Sequence, residues 1–298
     1  MKELELIKYI QKKAGKSGKG VQTGIGDDCA VLDYNSKEYL LWATDMLVEN
    51  THFKLKTTDL KAIGRKAVMV NVSDIAAMGG MPKHILISIG VPEKIKSEEI
   101  KKIYDGIFRA CKEYKIDVLG GDTVKSKKLV INVSIIGFVE KKRLTLRDQA
   151  RPGELIVITG PVRNGKKTHL NFVPRLEEAV FLTRNYKIGA MIDVSDGLAI
   201  DANRVCDASE VGCRIFPEDI PLSSGLSLKD ALYYGESFEI LFTMKPSEVR
   251  KLFSKVEKQK DKLQFHVIGE VVSKKDGKVL VDKNGEISQL KNEGYRHL

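Results

Sequence analysis

Six aspartates stand where the sequence is otherwise apolar or rich in glycine. Asp27 and Asp28 follow TGIG, Asp45 closes ATD, Asp74 lies in VSD, Asp122 follows two glycines in LGGD, and Asp196 sits in VSDG. A carboxylate at the edge of a buried element is costly unless it is paired or bound to a cation. Lysine and arginine are scarce in these stretches, so the expected counter-charge is a metal ion. Magnesium takes oxygen ligands, usually one or two carboxylates per ion together with water and phosphate oxygens. Converging aspartates in this number predict more than one ion. Gly24, Gly26, Gly120 and Gly121 fit the same picture, because glycine lets backbone approach a bulky anion closely. Each motif also has a structural account: a turn at Asp27-Asp28, helix caps at Asp74 and Asp196, a strand-ending turn at Asp122. Their joint occurrence is what points to a site.

Other chemistries find less support. His52, in ENTHF, could contact a ligand, while His84, His169, His266 and His297 lack metal-ligand spacing. Neither a G-x-S-x-G elbow nor a Cys-His arrangement is present. Cys29, Cys111, Cys206 and Cys213 form no C-x-x-C pair and read as buried thiols. VITGPVRNGKKT, residues 157–168, resembles a phosphate loop, but Lys167 stands where a magnesium-binding hydroxyl is needed and Pro161 removes a backbone N–H. It reads as the end of a strand followed by a basic surface turn. AGKSGKG, residues 14–20, reads as a flexible connector.

The elements that must position these groups follow from periodicity. MKELELIKYIQKK is an amphipathic helix. CAVLD and EYLLWATDML read as paired strands, and helical spacing of Leu60, Ile63, Ala67, Val70, Asp74 and Met78 predicts a helix over 58–78. HILISIGV is a strand, SEEIKKIYDGIFRACKEY a helix capped by serine, and LVINVSIIGFVE a strand. RLTLRDQARPGE marks a boundary, giving domains 1–145 and 146–298. The second half opens on LIVITG and continues with helices near 174–185 and 195–210 and strands near 213–216, 238–243 and 264–272. A hairpin is expected at Asp276-Gly277. VNVSDIAAM and IDVSDGLAI share a pattern that would suit two related halves.

With 298 residues the chain has room for two domains of about 150 residues each. Hydrophobic content of 42% with 30% charged residues indicates a soluble globular protein. No apolar stretch suits a membrane span or signal peptide, so no membrane and a cytoplasmic location are expected. The net charge of +10 is scattered among glutamates without aromatic interleaving, which argues against nucleic acid as partner.

GIGDDCAVL, ATDMLVENTHF, VNVSDIAAMGGMP, LGGDT, the RxxARPGE segment, IDVSDGL and the closing GYRHL together resemble the thiamine-monophosphate kinases, of the aminoimidazole-ribotide synthetase superfamily. The resemblance implies an α/β (α+β) subunit of two domains whose amino-terminal domain binds ATP and magnesium and forms an intersubunit β-barrel in a homodimer. It implies transfer of the ATP γ-phosphoryl group to thiamine monophosphate, with several Mg²⁺ ions and ATP as co-substrate. Carried over by position, Asp27, Thr44, Asp45, Asp74, Asp122 and Asp196 are expected metal ligands, with Asp45, Asp74 and Asp122 central to catalysis. Tyr104, Gly121, Asp122, Arg147 and Ser195 would contact ATP, and His52, Glu239 and Tyr295 the thiamine phosphate. The acceptor's phosphate is largely dianionic at neutral pH and needs no general base. This chain departs from the family's GGEDYEL at Tyr234, Ser237 and Phe238, and from GGDTxR at Lys125. Alternatives are another ATP-utilising enzyme of the superfamily, of selenophosphate or ribotide synthetase type, and a non-catalytic nucleotide-binding protein.

Overall fold

The computed structural model describes residues 3–15, 17–163, 165–259 and 263–296. The amino-terminal half comprises helix α1 (Glu3–Ala14), strands β1 (Val21–Thr23), β2 (Ala30–Asp33) and β3 (Glu38–Val48), helix α2 (Leu60–Ala77), strand β4 (Met81–Val91), helix α3 (Ser97–Tyr114), and strands β5 (Asp117–Lys125) and β6 (Val130–Glu140). In β6 every second residue is buried, and in β3 Leu41, Ala43 and Leu47 are buried while Trp42, Thr44 and Met46 are exposed. That period of two produces a sheet with one packed face and one open face. The strands lie in the order β1-β2-β3-β6-β4-β5. All pairs are antiparallel except β4 with β5, which α3 links as a crossover.

Helix α2 covers the packed face. Asp59 caps it by accepting from the Lys61 N–H at 3.2 Å. Its partner α3 crosses it at backbone contact. A Cβ on Gly64 would lie 2.0 Å from the Ile103 carbonyl oxygen, and one on Gly106 2.0 Å from that of Lys61, so each helix admits only glycine at the crossing.

The carboxyl-terminal half comprises β7 (Leu155–Thr159), α4 (Gly165–Thr168), α5 (Leu176–Asn185), β8 (Met191–Asp193), α6 (Leu198–Ala208), β9 (Gly212–Ile215), α7 (Leu228–Tyr233), β10 (Ile240–Met244), α8 (Pro246–Gln259), β11 (Phe265–Val272), β12 (Lys278–Val281) and β13 (Ile287–Gln289). Its seven strands lie in the order β13-β12-β9-β11-β7-β10-β8. One apolar core runs through both halves, from Val68 and Ile75 of α2 to Val157, Met191 and Phe242 of the second sheet. Arg65 of α2 also donates to the Phe172 carbonyl at 2.8 Å, so α2 is a wall shared by both sheets.

Four expectations are corrected. No hairpin forms at Asp276-Gly277: β12 runs parallel to β9 and pairs antiparallel with β13, because the turn through Gly277 (φ 74°) carries the chain from β11 past β9 to its far edge. Ser97 is the first residue inside α3 rather than its cap, and the carboxylate of Glu99 accepts from the N–H of Lys96, which precedes it, at 2.9 Å. VNVSDIAAM lies within α2, whereas IDVSDGLAI is strand, turn and helix, so the shared pattern is no structural repeat. The turn after VITG is not merely solvated: Gly165 is buried, and a Cβ there would meet the Gly235 carbonyl at 2.2 Å. Asn164 lies outside the described residues, as do Lys16 of the connector and His297 and Leu298 of GYRHL. Among the described residues the six-stranded sheet is open, with β1 and β5 at its edges, and no helix is long and apolar enough to cross a membrane.

Candidate active site

Lys66, Val70 and Asp74 recur at i, i+4 and i+8 on α2 and so share one face of it. All three line a cavity of about 320 Å³ between the two sheets. Asp45 and His52 enter from β3 and the turn after it, and Asp193, Ser195 and Asp196 from β8 and the turn before α6. Glu236 and Phe238 close another side, and Tyr295 stands at the rim, its N–H donating to the Asp196 carbonyl at 2.9 Å.

At the Asp74 end, carboxylate oxygens of Asp28, Asp74 and Asp193 lie within 4.8 Å of one another. Asp28 follows the glycine turn before β2, Asp74 belongs to α2 and Asp193 ends β8, so the cluster is assembled from both halves. Ser73 donates to Asp193 at 2.6 Å and fixes its orientation. Burial raises the pKa of Asp74 well above the ordinary carboxylate range, and Asp45, Asp193 and Asp28 push it further. Asp193 is raised likewise by burial and by Asp28. Carboxylates crowded until they resist ionisation are matched by a hard divalent cation, whose charge reverses that logic. The donor set therefore fits magnesium.

Asp27 accepts from the N–H of Asp28 at 2.9 Å and of Arg147 at 3.0 Å, and burial followed by Asp28 raises its pKa from 3.8 to about 6. The Arg147 guanidinium pairs with the Asp28 carboxylate. Arg204 likewise holds Asp196 and Asp201, each at 2.6 Å. The scarcity of cations near the aspartates in sequence is thus only local: Arg147 reaches Asp27 and Asp28 from a distant segment, and Arg204 reaches Asp196 from the helix that follows it.

At the other end of the same face of α2, the Lys66 ammonium donates to the Glu236 carboxylate and lies 2.7 Å from His169 Nδ1. Burial lowers the Lys66 pKa, with Glu236 and then Asp45 opposing it. His52 Nδ1 accepts from the Val48 N–H at 3.0 Å, which sets the ring's orientation at the cavity wall.

The expected site residues divide into two sets. Asp45, His52, Asp74, Ser195, Asp196 and Tyr295 line the cavity, and Asp27 and Arg147 adjoin its carboxylates through Asp28. Thr44 points to the open face of the sheet, its hydroxyl donating to the Val133 carbonyl at 3.1 Å. Glu239 is turned away from the cavity and fully buried, held by Arg175 Nε at 2.7 Å, by Arg163 and by Thr159; Glu236, three residues earlier, faces the cavity instead. Tyr104, Gly121 and Asp122 lie outside the cavity. Gly121 is required by packing, since a Cβ there would sit 1.7 Å from the Ile87 carbonyl oxygen. Asp122 is exposed on β5, in one register row with Ser88, Asn132 and Met46 and about 14 Å from Met46 across three strand spacings. Sequence reasoning missed Asp193, Lys66 and the pairing role of Asp28. Asp193 lies inside the quoted IDVSD, and the helical spacing between Lys66 and Asp74 carried the second signal.

Comparison with known proteins adds independent findings. Residues 26–139 match the model of the AIR synthase related protein, N-terminal domain, and residues 151–282 that of its C-terminal domain. The chain is 34% identical over 327 residues to a thiamine-monophosphate kinase of Bacillus subtilis (strain 168), covering all of this chain and 99% of that one. A solved structure of AaThiL complexed with AMPPCP and TMP superimposes with a TM-score of 0.80 at 31% identity, covering all of this chain and 97% of that one. The crystal structure of a thiamine monophosphate kinase from Aquifex aeolicus matches with a TM-score of 0.76 at 29% identity, over 97% of this chain and all of that one.

Proposed function

The chain belongs to the thiamine-monophosphate kinase family of AIR synthase related proteins, and from that premise we propose that its cavity transfers the γ-phosphoryl group of ATP to thiamine monophosphate, giving thiamine diphosphate and ADP. The observation that carries this reading is the convergence of Asp28, Asp74 and Asp193 from both halves at one end of a cavity large enough for an acceptor.

Asp27, Asp28, Asp45, Asp74, Asp193 and Asp196 hold magnesium in this reading. Magnesium held by these carboxylates would supply positive charge to offset the repulsion between two polyanionic substrates. The protein's task is positioning. A bond forms between an oxygen of the acceptor phosphate and the γ-phosphorus as the bond to the β,γ-bridging oxygen breaks, and ADP carries off that electron pair. No side chain must remove a proton, because the acceptor phosphate is already largely dianionic. Arg147, beside Asp27 and Asp28, supplies fixed positive charge toward ATP, while His52 and Tyr295 orient the thiamine moiety.

We place the domain boundary at 145/146 and assign dimerisation to the first domain. Support comes from the open face of the six-stranded sheet, where Trp42 (51% exposed), Met46 (52%) and Leu86 (48%) form an apolar surface. Packing that face on a second copy covers it and closes the two sheets into a barrel. Asp122 and Met46 share the face, and Met46 also reaches the cavity, so Gly121, Asp122 and Tyr104 serve ATP at the junction of two copies. Four free, buried cysteines suit a reducing compartment, and we assign the enzyme to the cytoplasm.

An acceptor panel tests the function. With Mg-ATP, thiamine monophosphate should be phosphorylated in preference to thiamine, selenide and other phosphomonoesters; a better acceptor of another class would move the chain to a different activity.

A further inference from the structure

The proposed acceptor brings a dianionic phosphate into a cavity whose walls carry Asp45, Asp74, Asp193, Asp196 and Glu236. Lys66 is the one lysine or arginine among the described residues that line it. Its side chain is 1% exposed. Glu236 accepts from its ammonium, His169 Nδ1 lies 2.7 Å away, and the His52 carbonyl lies 3.4 Å away. Burial followed by Lys66 lowers the pKa of His169, which favours the neutral ring.

Position on α2 gives this ammonium its meaning. Lys66 and Asp74 are eight residues apart on one helical face, about 12 Å along the axis, with Val70 between them on the cavity wall. The ammonium meets Glu236 and His169, while Asp74 meets Asp28 and Asp193, so the two groups have different partners along the same face. The two charges bracket the space between them. A buried lysine contributes little to stability, since an apolar residue of similar volume is often as good or better there. Its placement is better explained by a ligand.

We propose that Lys66 binds the phosphate of the acceptor, held toward the cavity by Glu236 and His169, so that this phosphate lies between the ammonium and the metal-binding carboxylates. The inference rests on the reading of the cavity as the thiamine-monophosphate site and names the group within it that recognises the phosphomonoester. Lys66 donates hydrogen bonds and neither gains nor loses a proton in the transfer.

Calorimetric titration of the full-length protein with thiamine monophosphate and, separately, with unphosphorylated thiamine tests this, in wild type and in Lys66→Met. Loss of a charged hydrogen bond predicts a roughly ten- to hundredfold weaker affinity for thiamine monophosphate, with thiamine and Mg-ATP affinities changed by less than about threefold. Equal losses for thiamine and its monophosphate, or no loss, would overturn the proposal. Lys66→Gln repeats the comparison with a polar side chain, and failure of both variants to fold would make Lys66 a structural anchor and also overturn it. Absence of thiamine monophosphate binding in the wild type would instead overturn the reading of the cavity itself.

Discussion

Asp74 in the last turn of α2 and Asp193 at the end of β8 hold carboxylate oxygens within 4.8 Å of each other although they belong to different halves of the chain. Ser73 adds a direct 2.6 Å hydrogen bond from the same helix to Asp193. The site therefore exists only when the two sheets are docked through α2.

Asp74→Asn should lower turnover by roughly a hundredfold or more, since it removes a ligand for the ions that neutralise the transferring phosphoryl group. In EDTA the variant should melt at or above the wild-type temperature, because it relieves repulsion among Asp28, Asp45 and Asp193. Adding magnesium should raise its melting temperature less than that of the wild type. Steady-state kinetics and thermal melts check both halves, and a magnesium response equal to wild type would remove Asp74 from the ligand set.

The carboxylate cluster sets a pH dependence whose sign is fixed. Asp27 has a folded pKa of about 6 against 3.8 for the free group, and Asp201 is raised to about 7, first by burial. Between those limits the folded state holds more protons than the unfolded one, so these groups make the metal-free protein less stable as pH rises through the window. At Asp27, which the proposed site gives to magnesium, the ion competes with the same proton. The gain in melting temperature on adding magnesium should therefore be larger at pH 8 than at pH 5, as measured by differential scanning fluorimetry; a gain independent of pH would contradict the assignment.

Glu239 behaves as a structural anchor. Arg175 and Arg163 surround it in a buried setting, so Glu239→Gln leaves their charge uncompensated and should cost about 3 kcal/mol or more of unfolding free energy. Urea denaturation measures this. An unchanged midpoint accompanied by weakened thiamine monophosphate binding would return Glu239 to the substrate.

Trp42→Glu places a charge on the open sheet face and should weaken the proposed dimer by roughly tenfold or more. Sedimentation velocity over a concentration series gives the answer, and a wild-type protein that stays monomeric at high concentration would remove the barrel from the account.

Much of the architecture was legible because its elements have strong periods. The helix expected over 58–78 is α2, and LVINVSIIGFVE is β6, alternating buried residues along its length. The hairpin expected at Asp276-Gly277 failed because a turn signal names the bend but not the strand that follows as partner: β12 finds β9, far away in sequence. The same limit governs the site. Asp45, Asp74 and Asp196 could be picked out because each is a carboxylate among apolar neighbours. Asp193 and Lys66 carried a local signal too, within IDVSD and at helical spacing from Asp74, but their roles rest on contact with Asp74 and Glu236, which no local pattern contains. Glu239 was expected at the substrate only through the family resemblance, and its distant arginines show it to be a buried anchor.

The central claim is direct phosphoryl transfer between two phosphates in this cavity. Phosphorus NMR of purified protein with Mg-ATP and thiamine monophosphate measures it directly. The account predicts that the monophosphate resonance is replaced by the paired resonances of thiamine diphosphate as ADP appears in equal amount, with no free phosphate released. Release of inorganic phosphate while thiamine monophosphate stays unchanged would contradict it.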